Sequence, residues 1–249
     1  MKGLIKAIAF AWLLAATGAQ AADLGAPSVG GGYKDEPVAS DAWWNAGDIF
    51  VRVRGEALIP QTSTGSWNPG KLAGTSVVRS PDLSVDTVFL PELDLSYFLT
   101  KNLAVELICC VDRAFIGTAG SLTAAGPKVG DTWMFPPTLL LQYHFDGLGA
   151  FKPYVGGGVN YTVFFDEGSS GIFRNLKLDN AWGGAVQAGF DYHLQGNWFL
   201  NVDFKKLWLG TDFKVDALSS RVTGHVDLDP IIVGAGIGYR FGTAYTPLK

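Results

Sequence analysis

Apolar and polar residues alternate along most of this chain with a period of two, which is the period of a β-strand. In the first such segment Val51 and Val53 share one face, whereas Arg52 and Arg54 share the other. The alternation predicts strands at residues 48–58, 86–99, 103–111, 132–145, 153–165, 181–194, 198–211 and 226–241. Eight strands, each with one apolar and one polar face, are therefore expected.

The connections between these strands are alternately short and long. Short turns follow the second, fourth and sixth strands, and the turn at 146–152 joins the two arms of the central hairpin. Long connections follow the other strands, at residues 59–85, 112–131, 166–180 and 212–224. Bacterial outer-membrane barrels arrange short periplasmic turns and long outer loops in this way.

The sequence also bears on which face of the strands points outward. Aromatic residues lie on the apolar face near the short turns, as an interfacial girdle would: Tyr97, Tyr143, Phe145, Tyr192, Trp198, Tyr239 and Phe241. Alternation alone is equally compatible with a soluble barrel such as a lipocalin, which points its apolar face inward. The girdle, the loop lengths and the strand lengths favour an all-β, eight-stranded antiparallel transmembrane β-barrel over residues 48–241.

The N-terminus has the pattern of a secretory signal peptide, predicted at residues 1–21. Lys2 and Lys6 precede a short apolar run, and Ala19-Gln20-Ala21 resembles a cleavage site. A membrane-anchoring helix would need about 20 apolar residues, more than this run supplies. Residues 22–47, with Gly30-Gly31-Gly32, are predicted to be a flexible periplasmic arm, and residues 242–249 a C-terminal extension.

Composition narrows the possible partners and chemistry. Charged residues make up 17% of the chain and hydrophobic residues 48%, so the charged share lies below the roughly 25% of soluble domains. A net charge of −4 disfavours a nucleic-acid partner. Cys109 and Cys110 are adjacent, and because a disulfide between neighbours is strained, both are expected to be free.

The polar faces of the strands would line the barrel interior. The predicted lumen-lining residues are Arg52, Arg54, Glu56, Glu92, Asp94, Glu106, Gln142, His144, Asn160, Gln187, Asp191, Asn201, Asp203, Lys205 and Arg240. Eight strands leave a lumen just wide enough for side chains to fill, so structural ion pairing is one interpretation. The other is a gated conduit, whose candidate apolar gate residues are Leu58, Leu140, Leu207 and Leu209.

The sequence offers little support for catalysis. His144, His193 and His225 fall on different predicted strands and no nucleophilic serine motif accompanies them. We therefore expect no enzyme activity, no metal and no cofactor. The glycine-rich runs do not open helices, so they do not predict a nucleotide site.

Several motifs resemble the outer membrane protein W (OmpW) family. They are PPTLLLQYHF at 136–145, KPYVGGGVNYT at 152–162, GFDY at 189–192, WFLNVD at 198–203, LDP at 228–230 and GYRF at 238–241. The resemblance covers most of the chain from residue 48. The chain differs from the family in its longer N-terminal arm and in the residues that follow Phe241.

The resemblance implies a monomeric barrel in the outer membrane of a Gram-negative bacterium, with a narrow channel for small hydrophobic molecules. The implied partners are outer-membrane lipid and lipopolysaccharide, small hydrophobic solutes and the barrel-assembly machinery. The alternative function is a structural, adhesive or receptor barrel that acts through its long extracellular loops without transport.

Overall fold

Fourteen β-strands and one short helix make up the part of the chain that the structure describes. The computed structural model describes residues 43–68, 81–217 and 220–242. The predicted signal peptide, most of the arm and residues 243–249 of the extension lie outside them. Within the described residues, no helix is both long and apolar enough to cross a membrane.

Eight of the strands form a closed antiparallel ring, as the sequence predicts. In ring order they are β1 (Ile49–Ile59), β4 (Val88–Phe98), β5 (Leu103–Cys109), β8 (Thr138–His144), β9 (Phe151–Ser169), β11 (Ala181–Gln195), β12 (Trp198–Ala217) and β14 (Ile231–Phe241). Strand β14 pairs back onto β1 and closes the ring. Closure gives every strand of the ring a hydrogen-bonded neighbour on both sides, which is the condition for β-structure in hydrocarbon.

The polar face of the ring points inward and the apolar face outward. On β1, Arg52 and Arg54 are buried whereas Val53 between them is exposed. The same alternation places Leu93, Leu141 and other large apolar side chains on the outside. A lipocalin-like barrel would show the reverse, so this arrangement excludes the soluble alternative.

Two aromatic belts mark the outer surface. The seven girdle residues lie at the short-turn end, where Trp198 packs edge-on against Tyr239 with ring centroids 4.8 Å apart. Trp208 and Trp182 are exposed toward the other end. Trp198 and Trp208 are ten residues apart on one strand, which gives a band of roughly 25 Å once strand tilt is included.

Lys206 stands on the otherwise apolar outer face of β12. It lies two residues from Trp208, and its ammonium group donates a hydrogen bond to the Asp229 carbonyl. A lysine at the level of a belt can reach polar groups at the interface, so the apolar face remains intact.

The long connections contain six further strands that continue the wall beyond the ring. They are β2 (Ser63–Asn68), β3 (Pro81–Val85), β6 (Asp112–Gly120), β7 (Lys128–Phe135), β10 (Phe173–Leu178) and β13 (Ser220–Asp227), with a 3-10 helix at Ser121–Ala125. In one extension β2, β13 and β10 join the far end of β12; in the other, β3, β6 and β7 join the far end of β9. Neither extension was predicted from the sequence.

Several predicted strand boundaries are wrong, and proline explains two of them. The strand predicted at 132–145 is two strands, β7 and β8, separated by Pro136-Pro137. The strand predicted at 226–241 is divided before β14 by Pro230. Proline has no amide hydrogen to donate to a ladder. The strand predicted at 103–111 ends at Cys109, and β12 runs on to Ala217.

A histidine links the two strands of the β12–β13 hairpin. His225 Nδ1 lies 2.7 Å from Asp212 Oδ1, and its Nε2 lies 3.4 Å from Asp227 Oδ1. The hydrogen bond to Asp212 and the two carboxylates raise the pKa of His225 above its ordinary value. Protonated His225 therefore stabilises the folded hairpin.

This interaction predicts a pH-dependent contribution to stability. A raised folded-state pKa stabilises the protein fully below the ordinary histidine pKa of about 6.5, and the stabilisation is lost as pH rises through the folded value. The melting temperature of the wild type, measured in detergent, should fall across that window more steeply than that of His225→Gln. Parallel curves for the two proteins would contradict this assignment.

Candidate functional site

The barrel interior has three zones along its axis. From the short-turn end they are an aromatic seal, a network of charged side chains and an apolar chamber. All fifteen predicted lumen-lining residues are buried inside the barrel. Thirteen of them belong to one network, which is built around Arg52, Arg54 and Lys205.

Arg52 holds the lower part of the network. Its guanidinium donates to Asp191 at 2.8 and 3.1 Å and to Glu106 at 3.0 Å. The Phe50 ring lies against it, with the Arg52 Cζ 4.3 Å from the ring centroid. The bidentate contact with Asp191 fixes the guanidinium plane across the lumen.

Arg54 reaches acids on two neighbouring walls. Its Nη2 lies 2.7 Å from Glu92 Oε1 and 2.5 Å from Asp94 Oδ2. Its Nη1 donates to Asn201 Oδ1 at 2.9 Å and lies 3.5 Å from Asp203 Oδ2. One side chain thereby connects β1, β4 and β12.

Lys205 completes the upper surface of the network. Its ammonium group lies 2.6 Å from Glu56, 2.7 Å from Glu92 and 3.0 Å from Asp203. Space for this contact comes from Gly234 on β14, where an added Cβ would lie 2.7 Å from the Glu56 Cγ. The inner glycines thus make room for the ion pairs, as expected for a narrow barrel.

Two glutamine side chains extend the network to strands β8 and β11. Gln142 donates to Glu106 at 2.9 Å and to Gln187 at 2.8 Å, and its amide oxygen lies 3.1 Å from the His144 ring. The network does not include two predicted residues. Asn160 contacts Thr138 at 2.8 Å beside the chamber, and Arg240 lies 3.7 Å from Asp48 near the short-turn end.

The aromatic seal was not predicted. Trp44 stacks on Phe98 and on Phe199, with centroid distances of 4.4 and 5.2 Å, and Phe50 completes the cluster. Lys152 lies over the neighbouring Trp43 ring at 4.7 Å. Both tryptophans belong to the segment predicted as a flexible arm, yet both are buried. The only signal in the sequence was an adjacent tryptophan pair directly before the first strand.

Tyr154 is a second residue that the sequence analysis missed. Its hydroxyl donates to Asp203 at 2.7 Å and accepts from Asn201 at 3.1 Å. Strand alternation places position 154 on the same face as Gly156 and Asn160. The aromatic side chain had obscured this inward position.

The four candidate gate leucines come together above the network. Leu58, Leu140 and Leu207 pack in one apolar cluster with Ile108 and Ile232. The fourth, Leu209, is also buried and lines the same chamber. Their role as a gate remains a prediction.

The apolar chamber extends from this cluster to the far end of the barrel. The empty space between its lining side chains is about 1290 Å³, a figure that includes open solvent. Glu56, Glu92 and Lys205 form its floor. Its wall is almost entirely apolar and includes Leu58, Ile108, Leu122, Val129, Met134, Phe164, Phe173, Leu176, Leu207, Phe213 and Val215.

The chamber wall has an interruption beside β4. Strand β4 pairs with β1 along most of its length but with β5 only at Leu93–Phe98. In the described part of the chain, no ladder covers residues 88–92 on the β5 side. Leu90 lies at one side of this interruption and Cys110 at the other, and both line the chamber.

The three histidines occupy separate settings: His144 in the network, His193 against Trp43 with centroids 4.3 Å apart, and His225 in the β12–β13 hairpin. Among the described residues, no cluster of three or more histidine, cysteine or acidic side chains could hold a metal ion. Cys109 and Cys110 are free thiols.

Removal of Lys205 tests the network. Lys205→Met leaves Glu56, Glu92 and Asp203 without their shared cation, so the free energy of unfolding should fall by about 3–5 kcal/mol. Lys214→Met on the same strand is the control, because Lys214 pairs with Asp179 at the exposed surface and such pairs contribute about 1 kcal/mol or less. Urea titration in detergent measures the free energy of unfolding of both variants. Equal losses of unfolding free energy in Lys205→Met and Lys214→Met would contradict a stabilising network.

Replacement of Trp44 tests the aromatic seal. Trp44→Ala removes a fully buried ring and should destabilise the barrel by about 3–5 kcal/mol, whereas Trp44→Phe keeps a stacking ring and should cost less. Thermal unfolding in detergent gives the comparison. A melting temperature unchanged in Trp44→Ala would show that the seal is not packed as described.

Comparisons with known proteins agree with this architecture. The family model described as OmpW family matches residues 45–241. The uncharacterized outer-membrane protein y4mB of Sinorhizobium fredii is 40% identical over 227 residues, covering 91% of each chain. The dibenzothiophene metabolism operon protein PahQ of Pseudomonas aeruginosa is 31% identical over 135 residues, covering 52% of this chain and 64% of PahQ.

A solved structure has the same fold. The outer membrane protein OprG of Pseudomonas aeruginosa superposes with a TM-score of 0.72 at 30% identity, covering 80% of this chain and 98% of OprG. The relatives place the protein in the outer membrane of a Gram-negative bacterium. With the family model matched along the whole ring, the chain belongs to the OmpW family of outer-membrane β-barrels.

Proposed function

We propose that this barrel is a conduit for small apolar molecules and not an enzyme. The observation that carries the proposal is the chamber, which lies beyond the charged network and has an almost entirely apolar lining. Transfer of an apolar solute from water into such a space is favourable, at about 25 cal/mol per Å² of apolar surface removed from water. The chamber can therefore collect apolar solutes from water.

The relative PahQ supports the same class of solute. Its name refers to dibenzothiophene metabolism, and dibenzothiophene is a flat, uncharged aromatic molecule. The chamber of the present chain has walls of Leu, Ile, Val, Met and Phe with few hydrogen-bonding groups. Uncharged hydrocarbons and aromatic compounds fit this lining better than sugars or ions, which would lose their hydration there.

Passage straight through the barrel would cost far more than entry into the chamber. The floor is the network of Arg52, Arg54 and Lys205, and the aromatic seal lies beyond it. A solute moving along the axis would have to separate these buried ion pairs. Breaking one such pair costs about 3–5 kcal/mol.

The interruption beside β4 offers a route that leaves the network intact. Leu90 and Cys110 line the chamber on its two sides, and the exposed Phe89 and Val111 adjoin them on the outer face. An apolar solute that moves sideways here exchanges one apolar environment for another. We infer that the solute leaves the chamber sideways into the bilayer. We also infer that the barrel acts as a monomer and that the barrel-assembly machinery inserts it.

A matched pair of tryptophan variants tests the conduit. Leu207→Trp places a large side chain inside the chamber, whereas Leu200→Trp on the same strand adds the same group to the outer face. In cells that carry either variant, the rate of dibenzothiophene uptake should fall several-fold only for Leu207→Trp. Equal amounts of folded barrel in the outer membrane must be verified first.

The competing function makes the opposite prediction. A structural, adhesive or receptor barrel that works through its long extracellular loops would give the same uptake in wild type, Leu207→Trp and cells without the protein. That result would exclude the conduit.

A further inference from the structure

The outward face of the β6–β7 hairpin carries a compact group of cationic and aromatic side chains. We define the outer basic cluster as Arg113 and Phe115 on β6 with Lys128, Asp131 and Trp133 on β7. Ala114 and Ile116, which alternate with the β6 members, are buried on the inner side. The cluster therefore faces away from the chamber and plays no part in the proposed conduit.

The two cations are held over aromatic rings. The Arg113 guanidinium carbon lies 5.7 Å from the Phe115 centroid and 5.9 Å from the Trp133 centroid. The Lys128 ammonium nitrogen lies 4.9 Å from the Phe115 centroid. Cation–π contacts of this kind position a charge without covering it.

Asp131 holds both cations but does not neutralise them. It accepts hydrogen bonds from Arg113 at 2.5 and 2.9 Å, and lies 3.5 Å from the Lys128 nitrogen. Hydrogen bonding to Arg113 lowers the pKa of Asp131, so this carboxylate stays ionised. The side chains of Arg113 and Lys128 remain 47% and 42% exposed, which leaves the cluster one positive charge in excess and open to an anion.

The β12–β13 hairpin has a different charge. Its outward side chains include Asp212, Asp216 and Asp227 against Lys214 and Arg221, apart from the titratable His225. Lys214 and Arg221 are engaged with Asp179 and Asp216. An anionic partner would therefore favour the β6–β7 hairpin over the β12–β13 hairpin.

The cluster lies at the level of lipid headgroups. Val111, exposed on the outside, is two residues before Arg113, so the guanidinium begins only about 7 Å farther along the wall. Trp182 and Trp208 mark the outer belt, where a membrane changes from hydrocarbon to polar headgroups. Cations just beyond such a belt are well placed for lipid phosphates.

We propose that the outer basic cluster binds the phosphorylated sugar headgroup of a glycolipid in the outer leaflet, as in lipid A. Arg113 and Lys128 would bind a phosphate, for which the planar guanidinium is suited. The exposed edges of Phe115 and Trp133 would contact the apolar face of the adjacent sugar ring. The site explains why cations and aromatic rings share one exposed hairpin at this height.

The experiment compares two double variants that each lose two cations. Arg113→Gln with Lys128→Gln removes the cluster's charge, whereas Lys214→Gln with Arg221→Gln removes the same charge from the other extension. Binding of diphosphoryl lipid A to the purified, folded barrel in a zwitterionic detergent is measured by thermophoresis. Heat-dependent migration on gels verifies that each variant is folded.

Affinity should fall at least tenfold in the Arg113 and Lys128 double variant and less than threefold in the control. Lipid A stripped of both phosphates should bind the wild type at least tenfold more weakly than the diphosphoryl form. Equal affinity of all three proteins, or equal loss in both double variants, would overturn the site. Full competition by inorganic phosphate at matched concentration would also overturn it, because the ligand would then be a free anion.

Discussion

The closed ring and the paired charges inside it follow from the hydrocarbon that surrounds the barrel. Backbone groups in lipid have no water to bond, so the eight strands close into a ring. Closure with an apolar outer face sends the polar face inward, and a ring of eight leaves no room for bulk water there. Charged residues in that space must satisfy one another, which is what Arg52, Arg54 and Lys205 accomplish.

The network contains fewer cations than carboxylates. Three cations face six carboxylates, those of Glu56, Glu92, Asp94, Glu106, Asp191 and Asp203. Because acids outnumber bases, each cation serves two or more carboxylates at once. Ion pairs between side chains of different strands therefore hold the strands in place. The missing side chain of Gly234 leaves room for Glu56 on the neighbouring strand.

Residue pattern alone was sufficient for the ring because period-two alternation is set by local backbone geometry. It predicted fifteen inward polar positions, and these fifteen residues are buried. It could not reveal the two extensions, since those strands are short and carry weak alternation. It could not reveal the seal either, because Trp44 reaches Phe98 and Phe199 through tertiary packing that no local pattern encodes.

Three prolines lie at the boundary between the charged half and the apolar half of the lumen. Pro136-Pro137 and Pro230 interrupt the wall at the height where the charged network gives way to the apolar chamber. Below this height the ring has continuous ladders, and a continuous wall must be filled by paired charges. Above it the wall continues as the two extensions, and β4 pairs with β5 only at Leu93–Phe98. The same prolines that misled the prediction of strand boundaries therefore lie at the level where the apolar chamber begins.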